Sequence, residues 1–264
     1  MKLFIFDLDG VIYKGNLLLP GVKETLLFLR KKGKKVCFLS NNSTLSRRGY
    51  IKKLKKMGLE VKEDELFPSS YLCALYFRQV EKLNQEKVMV IGEKGLYEEL
   101  EKEGIKISKD PHRVRYVVVG MDRKFNFRKL SLAYQAITMG AKFIATNPDV
   151  TYPTERTTIP GAGAIVRALE ACTQRRPLIL GKPEKFGLEI VLKTKDSSPS
   201  QTILVGDRLE TDIAVGNKLK VHTVLVLSGI STFEEAGKAK PPFKPEYVIS
   251  NLKELFTLDL LSNE

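Results

Sequence analysis

Two aspartates separated by a single leucine, Asp7-Leu8-Asp9-Gly10, follow the apolar run Leu3–Phe6. In an extended chain they point the same way, roughly 6–7 Å apart. Such a pair can divide its labour. A carboxylate near a divalent cation and a lysine stays ionised and can attack phosphorus, forming an aspartyl-phosphate. A partner held off the metal can carry a proton, give it to the leaving alkoxide and take one from the attacking water. Gly10 permits the tight turn beyond the pair and lets backbone N–H groups approach a phosphate.

Three further apolar runs end on residues suited to the same task. Val36–Leu39 runs into Ser40-Asn41-Asn42, Leu178–Leu180 into Gly181-Lys182, and Ile203–Val205 into Gly206-Asp207. Lys182 supplies a fixed positive charge for phosphoryl oxygens. Asp207 is a hard oxygen ligand of the kind Mg²⁺ prefers, and Asp212, five residues on, can hold that site through a metal-bound water. Ser40 and Asn41 offer short polar groups that can donate to the same oxygens, and Asn42 beside them is a further candidate for substrate contact. Taken singly, each string has an ordinary reading: a turn at Asp7–Gly10, an N-cap cluster at Ser40–Asn42, a surface turn at Lys182. Four in order, each closing a buried strand, point to one phosphate and metal site.

The elements that must position these residues follow from the runs themselves. Short continuous apolar runs bounded by turn residues read as parallel strands buried on both faces. In an open parallel sheet, ligands bind outside the carboxyl ends of the strands. The expectation is a doubly wound, Rossmann-like α/β core interrupted by a smaller α/β insertion. The core would comprise residues 1–74 and 178–264, and the inserted domain 75–177. In the first part, Pro20-Gly21 opens a helix with Val22, Leu26 and Leu29 on one face, closed by Gly33. An amphipathic helix at about Leu45–Met57 follows the second strand. The insertion restarts the rhythm with strands Lys87–Ile91, Ile105–Ile107, Tyr116–Val119 and Lys142–Ala145, and helices Gly95–Glu103, Phe127–Met139 and Gly163–Cys172. The core sheet then resumes at Leu178–Leu180. A helix near Phe186–Lys193, the strands Ile203–Val205, Thr223–Leu227 and Tyr247–Ile249, and a closing helix at about Leu252–Leu260 complete it.

A chain of 264 residues, 43% of them hydrophobic, can bury a core of this size. Three scattered cysteines give no disulfide framework and no metal-ligand spacing. The first apolar run is too short for a signal peptide, and no segment approaches the roughly 18 apolar residues that span a bilayer. A cytoplasmic protein with no membrane association is expected. The net charge of +13 invites a nucleic-acid partner, but its distribution argues against one. Lysine is spread over nearly every helix, and aromatic residues are not interleaved as a stacking platform requires. The densest run, Arg47, Arg48, Lys52, Lys53, Lys55 and Lys56, surrounds Ile51 and Leu54 at helical spacing and reads as the wet face of a helix.

The strings Phe6-Asp7-Leu8-Asp9-Gly10-Val11, Leu39-Ser40-Asn41-Asn42-Ser43, Gly181-Lys182-Pro183 and Gly206-Asp207-Arg208-Leu209-Glu210-Thr211-Asp212 resemble the four motifs of the haloacid dehalogenase superfamily. Ala145-Thr146-Asn147-Pro148-Asp149, Pro160-Gly161-Ala162-Gly163 and the Tyr247–Leu255 tail are similar to one branch. It contains p-nitrophenylphosphatases, phosphoglycolate phosphatases, pyridoxal phosphate phosphatases and nucleotidases. The resemblance implies Asp7 as nucleophile, Asp9 as general acid/base, and Mg²⁺ held by Asp7, the Asp9 carbonyl and Asp207. It implies Ser40, Asn41 and Lys182 on the phosphoryl group, the insertion as a cap over the site, and a homodimer through that cap. Asp9 favours phosphate chemistry over dehalogenation, and a closed lid favours small phosphorylated metabolites.

Asn147, Asp149 and Arg156, near a strand end of the insertion, are further candidates for substrate contact. His112 and His222 read as structural or surface residues, and Cys37 as a packed core thiol. The function expected is a Mg²⁺-dependent phosphomonoesterase. The alternatives are a phosphotransferase or mutase that passes the phosphoryl group to a sugar hydroxyl, and a non-catalytic basic binding protein.

Overall fold

The computed structural model describes residues 1–154 and 157–258. In chain order its elements are β1 (Leu3–Phe6), a hairpin of β2 (Tyr13–Lys14) and β3 (Leu17–Leu18), α1 (Val22–Lys31), β4 (Lys35–Ser40), α2 (Arg47–Lys56), β5 (Leu66–Pro68) and α3 (Ser69–Tyr76). A second run follows: β6 (Lys87–Ile91), α4 (Lys94–Lys102), β7 (Lys106–Ile107), β8 (Tyr116–Val119), α5 (Phe127–Thr138), β9 (Lys142–Ala145), a hairpin of β10 (Thr151–Pro153) and β11 (Thr158–Pro160), α6 (Ala162–Thr173) and β12 (Leu178–Ile179). The chain ends with α7 (Phe186–Lys195), β13 (Thr202–Gly206), α8 (Ala214–Lys218), β14 (His222–Val226), α9 (Phe233–Lys238), β15 (Tyr247–Ile249) and a 3₁₀ turn at Leu252–Thr257. Residues 259 and 260 of the expected closing helix lie outside the described residues. No helix among those described is long and apolar enough to cross a membrane.

Two parallel sheets organise these elements. The first has six strands in the order β15-β14-β13-β1-β4-β5, and the second five, in the order β12-β9-β8-β6-β7. Alternate side chains of each strand enter different layers, as the pleat requires. Phe4, Phe6, Phe38 and Val205 pack under α1 and α2, while Leu3, Ile5, Cys37 and Leu204 pack against α7. The second sheet is covered the same way, with Val88, Val90 and Val118 toward α3 and α4, and Met89, Val117 and Val119 toward α5 and α6. Helices on both faces make each sheet doubly wound.

Register places the site. Phe6 stands opposite Val205 on one side and Phe38 on the other. The residues that follow, Asp7, Gly206-Asp207 and Leu39-Ser40, therefore emerge side by side at one edge.

Three expectations change. Leu178–Ile179 does not rejoin the first sheet: it pairs with Ile144 and Ala145 at the edge of the second, and Leu178 is exposed. A run this short carries no mark of which sheet it joins. The first sheet gains instead β5, at its edge, where Pro68 is tolerated although it cannot donate to a ladder. The boundary expected between residues 74 and 75 falls inside α3. Leu72 packs beneath the first sheet, and Cys73, Ala74 and Tyr76 beneath the second. Arg47 also leaves the wet face, lying over the Tyr71 ring at 3.5 Å, whereas Arg48, Lys52, Lys55 and Lys56 are exposed.

The two halves meet tightly where α4 abuts the start of α2. The Gly95 N–H donates to the Thr44 carbonyl at 3.1 Å, and the Arg47 N–H to Glu99 Oε1 at 2.6 Å. A Cβ on Gly95 would lie 2.1 Å from the Leu45 carbonyl carbon, so only glycine fits without moving backbone. Gly95→Ala should cost about 1–3 kcal/mol, read as a lower thermal midpoint with the secondary structure retained. An unchanged midpoint would mean that this contact yields freely.

Candidate active site

Asp7 extends β1 by one residue, its N–H donating to the Val205 carbonyl at 2.9 Å. The chain then turns sharply at Gly10, where φ is +89° and a Cβ would lie 2.4 Å from Asp207 Oδ2. A side chain is excluded there twice, by backbone conformation and by space. The turn leads into the β2–β3 hairpin and carries Tyr13 back beneath Asp9.

Lys182 is the centre of the arrangement. Its side chain is 3% exposed, and its ammonium donates to Asp7 Oδ1 at 2.6 Å, Asp212 Oδ1 at 2.5 Å and the Leu39 carbonyl at 3.0 Å. All three protons are used. Asp207, at the end of β13, accepts the Ile230 N–H on Oδ2 at 2.9 Å. Asp212 accepts the Arg208 N–H on Oδ2 at 3.2 Å. Asp7, Asp207 and Asp212 are buried and offer ligand oxygens within 4.8 Å of one another.

The electrostatics of that cluster suit a cation. Three carboxylates face one ammonium, and the remainder of two negative charges is what one divalent ion neutralises. Burial pushes the Asp7 carboxyl up to about 7, although Lys182 pulls it down, and burial with the neighbouring Asp7 and Asp212 holds Asp207 well above the usual carboxylate range. Lys182 is burdened by desolvation, yet Asp212 and Asp7 keep its pKa above the ordinary lysine value. Buried oxygen donors with this charge excess fit Mg²⁺.

The Asp9 carboxylate stands apart from the cluster. It accepts Tyr13 Oη at 3.2 Å and Asn42 Nδ2 at 3.3 Å on Oδ2, and Tyr152 Oη at 3.2 Å on Oδ1. Neutral donors thus hold the Asp9 side chain away from the Asp7, Asp207 and Asp212 cluster.

Ser40 lines the cavity and accepts the Asn42 N–H at 3.1 Å. Asn41 is a brace. Its Nδ2 donates to both oxygens of Asp149, at 3.2 and 3.1 Å, and to the Lys182 carbonyl at 2.9 Å, while its Oδ1 accepts the Lys182 N–H at 2.8 Å. Its amide has no donor left for a phosphate. The Asn42 amide is similarly spent on Asp9, Tyr152 and Thr44. Asn147 donates to the Asn41 carbonyl at 2.6 Å, and its Oδ1 accepts the Asp149 N–H at 3.1 Å. Asp149 faces the same cavity. Burial pushes its carboxyl up to about 6, opposed by the Arg208 guanidinium and Asn41. The side-chain amides of Asn41, Asn42 and Asn147 are thus all engaged by partners within the protein.

Asp7, Asp9, Ser40, Asn41, Asn42, Asn147, Asp149, Lys182 and Asp212 all line one cavity of about 40 Å³. That volume holds a few waters. Met121, Tyr152, Arg208 and Thr211 also line it. None was singled out by the sequence. Tyr152 reads as a strand former, and the one signal for it is its place just after Asn147-Pro148-Asp149; Arg208 and Thr211 sit inside the Gly206–Asp212 string without a spacing that sets them apart. Arg156 lies outside the described residues. His112 is exposed, His222 Nδ1 pairs with Glu246 at 2.8 Å, and burial pushes the Cys37 thiol up to about 12, leaving it inert.

Comparison with known proteins gives a consistent family. A model described as haloacid dehalogenase-like hydrolase matches residues 4–106, and a second, HAD-hydrolase-like, matches residues 179–255. The chain is 39% identical to phosphoglycolate phosphatase 1A, chloroplastic, of Arabidopsis thaliana, across 97% of this chain and 77% of that one. It superimposes on the p-nitrophenyl phosphatase from Archaeoglobus fulgidus with a TM-score of 0.89 at 38% identity, covering 97% of this chain and 98% of that one. The glycerol phosphate phosphatase Rv1692 from Mycobacterium tuberculosis, solved in complex with magnesium, superimposes with a TM-score of 0.88 at 28% identity, covering 96% and 76%.

The raised Asp7 carboxyl ties cation binding to pH. In the metal-free protein Asp7 holds a proton below about pH 7, and a cation requires the carboxylate. Affinity for a divalent ion should therefore weaken as pH falls below 7, by about tenfold per unit for one displaced proton. Calorimetry in buffers of different ionisation enthalpy should show more protons released at pH 6 than at pH 8. Equal release at both values would remove Asp7 from the ligand set.

Proposed function

The chain belongs to the haloacid dehalogenase-like hydrolases, and from that premise we propose how its own residues carry out the reaction. It is a phosphomonoesterase acting on small phosphorylated substrates. Asp7 is the nucleophile and Asp9 the acid/base. The observation that carries this assignment is the contrast between the two carboxylates. Asp7 lies in the charged cluster with one oxygen on the Lys182 ammonium, whereas Asp9 is held by two phenols and an amide.

The steps follow from those surroundings. A carboxylate oxygen of Asp7 bonds to phosphorus as the bond from phosphorus to the alcohol oxygen breaks, and Asp9 gives its proton to the departing oxygen. Water then attacks the aspartyl-phosphate, Asp9 takes back a proton, and phosphate leaves with Asp7 restored. Lys182 favours the ionised form of Asp7 and holds it at the cavity. Ser40 and the backbone of the Asn41 turn receive the phosphoryl oxygens. Enzymes of this family depend on metal. Here Asp7, Asp207 and the Asp9 carbonyl would hold Mg²⁺, with Asp212 behind them, and the ion would neutralise charge on the phosphoryl group.

Residues 75 to about 180 serve as the cap, which keeps bulk water and macromolecules from the site. Phe127 and Tyr134, exposed on α5 at 81% and 41%, support a homodimer formed through that cap. Free cysteines, two of them buried, suit a reducing cytoplasm. Asp7→Asn should lower hydrolysis of p-nitrophenyl phosphate by about 10³-fold or more, measured with Mg²⁺ present and with folding checked by circular dichroism. Near-native turnover by a folded Asp7→Asn protein would exclude this mechanism.

A further inference from the structure

Asp9 is shared between the two halves of the molecule. Its Oδ2 is held from the core side, by Tyr13 and Asn42. Tyr13 is fully buried, with the Lys53 ammonium over its ring at 3.7 Å, so this grip is fixed. Among the described residues, Oδ1 has one donor, Tyr152 Oη at 3.2 Å, from a residue 143 positions away. The same phenol oxygen accepts Asn42 Nδ2 at 3.2 Å, which turns its own proton toward Asp9. Tyr152 is carried by β10, part of a two-stranded hairpin that belongs to neither large sheet. It also lines the cavity that holds Asp7 and Lys182.

We propose that Tyr152 is a positioning residue for Asp9: its hydroxyl fixes the rotation of the carboxyl group and so aligns the acid with the leaving oxygen. This rests on the reading of Asp9 as the acid. Burial and the Asp9 charge both raise the Tyr152 pKa, so the phenol stays a donor across the working range.

The consequence is a dependence on the leaving group. A departing p-nitrophenolate is weakly basic and gains little from an acid, while phenolate and alkoxides gain much. Tyr152→Phe keeps the ring and removes only the hydroxyl. Its kcat/KM for phenyl phosphate and for an alkyl phosphate should fall about 10- to 100-fold, against less than about threefold for p-nitrophenyl phosphate. A parallel fall on all esters, or no fall on any, overturns the proposal, since a packing or specificity role would not sort substrates by leaving-group basicity. Asp9→Asn provides the reference. It should show the same selectivity in stronger form, and Tyr152→Phe added to it should bring no further selective loss. An Asp9→Asn protein without that selectivity would overturn the acid assignment and this inference together. A selective Asp9→Asn with a non-selective Tyr152→Phe would overturn this inference alone.

Discussion

One ammonium group, buried between two carboxylates, is the constraint on which the site depends. Moving Lys182, Asp7 and Asp212 out of water carries a desolvation cost of several kcal/mol per ion, and that cost is offset only while all three stay in contact. Each contact recruits a different part of the fold. Asp7 requires the register of β1 with β4 and β13, Asp212 requires the turn after β13, and the Leu39 carbonyl requires the end of β4. Asn41 fixes the backbone of Lys182 from both sides, through its N–H and its carbonyl. Removing the lysine would leave the buried Asp7 and Asp212 without the ammonium they share.

The second half of the chain does more than cover this centre. It delivers Lys182 from the end of β12, an edge strand of its own sheet. It supplies Asp149 to the Asn41 amide and Tyr152 to Asp9. The chemistry of the core is therefore completed by side chains that reach it from the other sheet, and the tight seat of α4 on α2 limits how far the two can separate.

Much of this was legible in the residues themselves. The Asp7–Asp9 pair, Ser40, Lys182, Asp207 and Asp212 were readable because continuous apolar runs mark buried parallel strands, and polar residues at the ends of such strands converge. Strands β6, β8, β9 and β15 have the bounds that their apolar runs set. The sheet joined by Leu178–Ile179 was not readable, since two or three apolar residues satisfy either sheet equally and the choice is made by long-range pairing. The side-chain roles of Asn41 and Asn42 were hidden for a related reason. An asparagine beside a phosphate site can donate to the ligand or to the protein, and partners 33 to 141 positions away decide which. Tyr13 and Tyr152 look like strand residues, and only the fold brings their hydroxyls to Asp9.

The central claim is that the gripped carboxylate of Asp7, and no other, takes the phosphoryl group. Rapid mixing of enzyme, Mg²⁺ and a phosphate ester, followed by acid quench and peptide mass mapping, tests it directly. The account requires the mass of one phosphoryl group on the peptide that begins the chain, located at Asp7 and disappearing when turnover is complete. A phosphoryl group found on any other residue, or hydrolysis proceeding with none bound to protein, would contradict it.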